Sequence, residues 1–167
     1  MILARFYTLF VKHSFNFTTD SRAISEDCIF FALRGDNFNG NSFALKALEQ
    51  GAAYAVVDEN VGDDERLIQV DDALTYMQQV AHFHRKCYDI PVLGICGSNG
   101  KTTTKNLLFQ VLAKKYKTHC TQGNFNNHIG VPITLLKMPQ DAEVAIIELG
   151  TNNPGEIADL CKIADPN

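Results

Sequence analysis

The segment that most constrains this chain is Val92–Thr104. A short apolar run, Val92–Cys96, leads into Gly97-Ser98-Asn99-Gly100-Lys101-Thr102, and an amphipathic stretch follows. Strand, glycine turn and helix in that order make a loop whose successive N–H groups point at one anion. The helix N-terminus adds its partial positive charge. Lys101 would place a point charge on terminal phosphates, and Thr102 would offer a hydroxyl to Mg²⁺. Ser98, Asn99 and Thr103 complete the loop as nucleotide-binding candidates. The strict pattern G-x-x-x-x-G-K-[ST] requires Gly at position 95, where Ile stands; Gly94 is one residue early, so the loop is a variant.

The remaining pattern fits a parallel α/β fold. Cys28–Leu33, Ala53–Val57, Leu67–Val70, Val92–Cys96, Lys117–Cys120 and Glu143–Leu149 read as strands, with continuous apolar runs at Cys28–Leu33 and Val144–Ile147. Helices are expected over Met1–His13, from Asn41 or Ser42 to Gln50, from Asp71 to about Tyr88, over Lys101–Lys114 and over Val131–Leu136. A last helix starts at Asn153-Pro154-Gly155-Glu156, with Asn153 as its cap. On the first helix, Ile2, Phe6, Leu9 and Phe10 share a side. On the fourth, Thr104, Leu107, Leu108, Val111 and Leu112 are expected to face inward. Strands separated by helices imply βαβ units. The break at Asp89-Ile90-Pro91 places a boundary between a domain over 1–88 and the start of a second over 89–167. Only three strands of the second sheet are visible, so the chain is expected to be a piece of a longer protein.

Charge and composition exclude several classes. The net charge is -4 and hydrophobic residues make up 46%, values of a folded chain rather than a disordered one. The longest apolar runs are about six residues, against the roughly 20 that a membrane span needs, and no signal peptide is read at the start. A cytoplasmic protein without membrane or nucleic-acid partners is expected. Between Asp89 and Asp141 there is no carboxylate, but Lys101, Lys105, Lys114, Lys115, Lys117 and Lys137 all lie there, which suits an anionic ligand. Lys105, Lys114 and Lys115 are otherwise read as solvating their helix. The five cysteines include no CxxC pair and read mostly as buried thiols. His82, His84 and Cys87 do not share one helix face, so no metal is expected there.

A second site residue follows from position alone. Glu148 ends the run Ala145-Ile146-Ile147-Glu148. A carboxylate at the carboxyl end of a buried parallel strand lies beside the phosphate loop and can hold Mg²⁺.

With the loop, these residues resemble a known family. Gly94-x-x-Gly97-Ser98-Asn99-Gly100-Lys101-Thr102-Thr103-Thr104 is similar to the GxxGTNGKT loop of the Mur ligases and their folylpolyglutamate synthase relatives, which accounts for the absent Gly at 95. The segments Thr121–Leu136 (TQGNFNNHIGVPITLL) and Glu148–Ile157 (ELGTNNPGEI) resemble one branch of that family. So does the N-terminal part: Thr19-Asp20-Ser21-Arg22, Phe30–Gly35 and Asn39-Gly40-Asn41-Ser42-Phe43 look like its UDP-binding domain. Asn39 stands where Asp is usual and Asn41 where His is usual.

The resemblance implies an ATP-dependent amide ligase of peptidoglycan precursor synthesis. It would join D-alanyl-D-alanine to UDP-N-acetylmuramoyl-tripeptide through an acyl phosphate, with ATP and Mg²⁺ as cofactors, in a mostly monomeric family. It assigns catalytic roles to Lys101, Glu148, Asn126 and Asn127, metal binding to Thr102 and Glu148, and UDP-substrate binding to Ser21, Arg22, Gly35, Asn39 and Asn41. It also implies that further ligand residues lie beyond Asn167, so the 167 residues alone are expected to be inactive. Two other readings stand beside it. One is another Mur-type or folylpolyglutamate-type ligase, against which Asn124–Gly130 argues. The other is a non-catalytic nucleotide-binding module.

Overall fold

A computed structural model describes residues 3–167; Met1 and Ile2, placed on the first helix by the sequence pattern, lie outside the described residues. The chain divides into two compact units at Met77/Gln78, inside a helix that runs over Ala73–Lys86.

The first unit is built on four parallel strands: β1 (Phe17–Thr18), β2 (Ile29–Phe31), β5 (Tyr54–Val57) and β6 (Leu67–Gln69), in the order β1-β2-β5-β6. β2 is buried along its whole length, and its two faces meet different partners. Cys28, Phe30 and Ala32 belong to a cluster with Ala44, Ala47 and Leu48 of α2 (Ala44–Glu49). Phe31 faces the other way, toward Phe6 of α1 (Leu3–Lys12), at 5.9 Å between ring centroids. Phe6 and Phe10, four residues apart on one helix face, are both fully buried. Burial on both faces explains why Cys28–Leu33 reads as a continuous apolar run rather than an alternating one.

Two local features depart from the sequence expectation. An antiparallel hairpin, β3 (Arg34–Gly35) with β4 (Phe38–Asn39), precedes α2. A 3-10 turn over Gly40–Phe43 then leads into α2. Asn39 caps that turn, its side chain accepting from the Asn41 N–H at 3.0 Å, and α2 itself follows Phe43 with no side-chain cap from Asn41 or Ser42. At the start of α3 (Ala73–Lys86), Asp72 accepts from the Thr75 N–H at 2.6 Å, as an N-cap carboxylate does.

The second unit carries β7 (Val92–Ile95), α4 (Lys101–Leu112), β8 (Thr118–Cys120), α5 (Gly130–Leu136), β9 (Val144–Glu148) and α6 (Glu156–Ala164). Its three strands are parallel in the order β7-β9-β8, with Ile95 opposite Glu148 and Cys120 opposite Ile146. β9 lies between the others and is buried throughout. Because all three run the same way, the segments after them (96–100, 121–129 and 149–155) emerge at one edge of the sheet, where open α/β sheets bind ligands.

Three expectations for this unit are corrected. On α4, Leu107 and Val111 are 63% and 69% exposed, while Lys105 is the buried residue. The last helix starts at Glu156, with Gly155 at φ 93° as its cap, because glycine takes this left-handed conformation without penalty. Among the cysteines, Cys28 and Cys120 are buried, but Cys87 and Cys96 are exposed. Of the histidine cluster, His84 is buried and shares a 3.2 Å contact with the Tyr88 hydroxyl, which donates to the Met138 carbonyl. Among the described residues, no helix is long and apolar enough to cross a membrane.

Candidate functional site

The loop after β7 takes the shape its glycines permit. Gly97 has φ 144° and Gly100 has φ 77°, both in the region that side chains disfavour. Gly100 caps α4 in the left-handed conformation, so the helix starts at Lys101 with its free N–H groups turned to the loop. Ser98 and Asn99 are exposed at the loop tip, and Thr103 is exposed in the first helical turn. The Lys101 ammonium folds back and donates to the Gly97 carbonyl, holding its charge over the loop.

Three side chains converge on Glu148, two from α4 and one from the segment after β8. The Thr102 hydroxyl donates to Glu148 Oε1 at 3.2 Å, and Asn126 Nδ2 donates to the same oxygen at 2.9 Å. Lys105 Nζ lies 3.5 Å from Oε2, with both side chains almost fully buried, at 3% and 2% exposure. The Glu148 N–H donates to the Thr121 hydroxyl at 2.9 Å, which fixes the end of β9 against the segment after β8. Gly150 makes this packing possible: a Cβ there would stand 2.7 Å from the Asn126 amide carbon. The Gly150 N–H also donates to the Asn126 carbonyl at 2.7 Å.

The two neighbouring asparagines differ in their duties. Asn126 reaches Glu148. Asn127 spends its side-chain oxygen on the N–H groups of Ile129 and Gly130, at 3.1 and 2.8 Å, capping the turn into α5. Both line a cavity of about 690 Å³ beside the loop, together with Lys101, Asn124, His128 and Asn152. The far wall is stiffened by Glu156. Its carboxylate accepts from the N–H groups of Asn152 and Asn153, from the Asn153 amide and from the Thr151 hydroxyl. These donors, the Asn153 side chain first, hold the Glu156 carboxyl down at about 2.

The donor set suits a hard divalent cation. Glu148 Oε2 is buried without a hydrogen-bond partner, Oε1 faces the loop, and a hydroxyl stands beside it; oxygen ligands of this kind are what Mg²⁺ takes. Thr102 and Glu148 are thus brought together, with Lys101 on the same loop.

The candidates of the first unit form two separate local groups. Arg22 grips Asp20 with two parallel bonds of 2.9 and 2.8 Å, and the Arg22 guanidinium holds the Asp20 carboxyl at about 2. Ser21 lies between them in sequence, and Gly35 is exposed in the hairpin. Asn39 and Asn41 enter an internal network. Asn41 is buried; its amide nitrogen donates to Asn39 Oδ1 at 2.9 Å and to Asp58 Oδ1 at 2.7 Å, and its oxygen accepts from the Asp58 N–H. Asn39 Nδ2 donates to both oxygens of Glu59 at 3.1 Å. Arg34 Nε is 3.1 Å from Asp58 Oδ1.

Sequence reasoning missed Lys105, Thr121 and Asp58. Lys105 carried a usable signal, since it stands one helical turn after Lys101 and so on the same face. Asp58 did too, as a carboxylate directly after an apolar strand. Thr121 carried none beyond its place in the asparagine segment.

A parallel sheet whose carboxyl edge holds a glycine loop, a lysine and a buried strand-end glutamate defines the class: a P-loop α/β protein. Two family models extend this over most of the chain. The Mur ligase middle domain matches residues 95–167, and the Mur ligase family catalytic domain matches residues 16–85. The chain belongs to the Mur ligase family. It is 42% identical over 152 residues to the UDP-N-acetylmuramoyl-tripeptide–D-alanyl-D-alanine ligase of Bacillus subtilis, covering 89% of this chain and 33% of that protein. Crystal structure I of MurF from Acinetobacter baumannii superposes with a TM-score of 0.86 at 33% identity, over 90% of this chain and 34% of that one. The MurF ligase from Thermotoga maritima in complex with ADP gives 0.85 at 32% identity, over 90% and 35%. The chain spans about a third of the length of the curated relatives it matches.

Proposed function

We propose that this chain forms the substrate and phosphate sites of an ATP-dependent ligase that joins D-alanyl-D-alanine to UDP-N-acetylmuramoyl-tripeptide. The observation that carries the reading is the convergence of Thr102, Asn126 and Lys105 on Glu148, directly beside the Lys101 loop. In this reading residues 1–88 hold the UDP-substrate and residues 89–167 begin the ATP domain, in a cytoplasmic, mostly monomeric family.

Each side chain has a task that follows from its chemistry. A carboxylate is a poor electrophile, so the tripeptide's terminal carboxylate must be activated as an acyl phosphate before an amine can attack. Two anions then have to meet. Lys101 and the N–H groups of residues 97–102 would bind the phosphates and offset their charge. Mg²⁺, held by Thr102 and Glu148, would supply further charge neutralisation there. Asn126 would orient Glu148, and Asn127 would keep the cavity wall in place through the turn it caps. Ser21, Arg22 and Gly35 would line the uridine diphosphate site. Asn39 and Asn41 would act through the hairpin they fasten to Asp58 and Glu59.

The test is phosphate release from ATP, in this chain and in a complete ligase of the family built to include these residues. UDP-N-acetylmuramoyl-tripeptide and D-alanyl-D-alanine are added singly and together. The complete ligase is expected to release phosphate only with both present, and Lys101→Ala is expected to abolish release. Release with a UDP-linked dipeptide and a free diamino acid instead would assign another ligase of the family. Nucleotide binding without release by the complete ligase would leave a binding module.

A further inference from the structure

α4 carries two lysines one turn apart with opposite surroundings. Lys101 stands at the loop. Lys105 is 3% exposed, with its ammonium 3.5 Å from Glu148 Oε2 and 3.4 Å from the Gly123 carbonyl. Both separations are long for bonds from an ammonium, and Oε2 has no hydrogen-bond partner. Lys105 therefore balances the Glu148 charge without saturating the oxygen. Oε1, by contrast, is held by Thr102 and Asn126. The carboxylate is fixed with one oxygen toward a buried cation and the other toward the phosphate loop.

We propose that Lys105 is a positioning residue that makes divalent-cation binding at Glu148 conditional on nucleotide. The inference rests on the reading of Thr102 and Glu148 as cation ligands. A cation arriving alone meets a carboxylate whose charge is already cancelled by a buried ammonium, and it is repelled by that ammonium. Nucleotide phosphates on the loop add the negative charge that the pair lacks, and the cation then binds. Reciprocity requires that the cation raise nucleotide affinity by the same factor. Removing the Lys105 charge while keeping its volume frees Glu148 to bind a cation unaided and weakens this coupling.

The probe is Mn²⁺, followed in the full chain by the spin-resonance signal of the free ion. ADP affinity is measured in parallel by calorimetry with Mn²⁺ and with chelator. Without nucleotide, Lys105→Met is expected to bind Mn²⁺ at least tenfold more tightly than the wild type. The ratio of its ADP affinities with and without Mn²⁺ is expected to fall by a similar factor. Lys105→Arg, which keeps the charge, is expected to behave as the wild type. Wild-type ADP affinity that ignores Mn²⁺ would remove the cation-ligand reading, and this inference with it. A wild type that responds to Mn²⁺, beside a Lys105→Met variant that behaves identically, overturns the role of Lys105 alone. So does an equal loss of Mn²⁺ and ADP binding in Lys105→Met and Lys105→Arg. Melting curves accompany each variant. If Lys105→Met does not fold, Lys105→Gln is read by the same criteria; if neither folds, the lysine serves the fold and the inference is overturned.

Discussion

Each of the two parallel sheets carries an acid at the carboxyl end of an interior strand. Asp58 follows β5, and Glu148 ends β9. Both side chains are 2% exposed. Asp58 is closed on itself: Oδ1 receives Asn41 and Arg34, and Oδ2 receives the Ala73 N–H at 3.1 Å. Glu148 is less saturated: Oε1 accepts from Thr102 and Asn126 beside the phosphate loop, while Oε2 has no hydrogen-bond partner and faces an ammonium 3.5 Å away. The same topological position therefore serves two ends. A satisfied carboxylate fastens a hairpin and a helix start to the sheet. A less saturated one, in the proposed reading, takes a cation through the oxygen that faces the phosphate loop.

The largest expected effect tests the closed end. Asp58→Ala leaves the buried Asn41 amide and the Ala73 N–H without their acceptor, and each unpaired buried donor costs about 1–3 kcal/mol. Urea unfolding should show that loss while Mg²⁺-ADP affinity is retained. A loss below about 1 kcal/mol would remove the contrast with Glu148. The next effect tests the open end. Lys101→Ala should weaken Mg²⁺-ADP binding by about 10- to 150-fold, the worth of a hydrogen bond to a charged group. Its melting temperature should stay near the wild-type value, because the hydrogen bonds of the Lys101 ammonium among the described residues go to its own loop. A variant that unfolds early instead would make the loop lysine a structural residue.

The open site was more legible than the closed one, and the reason is locality. Gly97, Gly100, Lys101 and Thr102 are neighbours in sequence, so their joint chemistry can be read from one segment. Glu148 announces itself as a carboxylate ending an apolar run. The Asp58 network joins residues 34, 39, 41, 58 and 73, and no local pattern connects them. The inner face of α4 failed for a related reason. Periodicity assigned Leu107 and Val111 to the core, but an apolar pattern cannot register that Lys105 finds a counter-charge 43 residues away. The last helix failed by a purely local effect: Gly155 takes a left-handed φ, which moves the start from Pro154 to Glu156. The Glu156 carboxylate still grips the preceding turn, as the capping pattern suggested, but from the first helical position.

Acidification should separate the two units more gently. His84 and His119, both in the second unit, have pKa values lowered by burial, His84 to about 4. The unfolded chain takes up these protons near pH 6.5, where the folded unit refuses them. Their contribution to stability is therefore full above pH 6.5 and is lost as the pH falls toward 4. His84 alone should remove about 1 kcal/mol between pH 6.5 and 5.5. Amide exchange read at β8 and β9 should accelerate over that window before exchange at β2 and β5. His84→Phe should flatten the dependence.

The smallest effect bears on Asn39, which the sequence resemblance sets at a position where aspartate is expected. Asn39 Oδ1 accepts from the Asn41 backbone and side chain, and its Nδ2 donates to Glu59. An aspartate could keep the first pair of bonds with one oxygen, but its other oxygen would face the Glu59 carboxylate. Asn39→Asp should therefore cost roughly 0.5–1 kcal/mol at low ionic strength, because the groups are partly exposed and water screens them. The loss should shrink as salt is raised, since the added term is repulsion between exposed charges. Melting at two salt concentrations separates the possibilities. A loss that ignores salt would point to the two missing donor bonds, and a gain would mean that Glu59 is not the partner that selects asparagine here. Either result would redraw how tightly the closed cluster is tuned, while leaving the open carboxylate at Glu148 untouched.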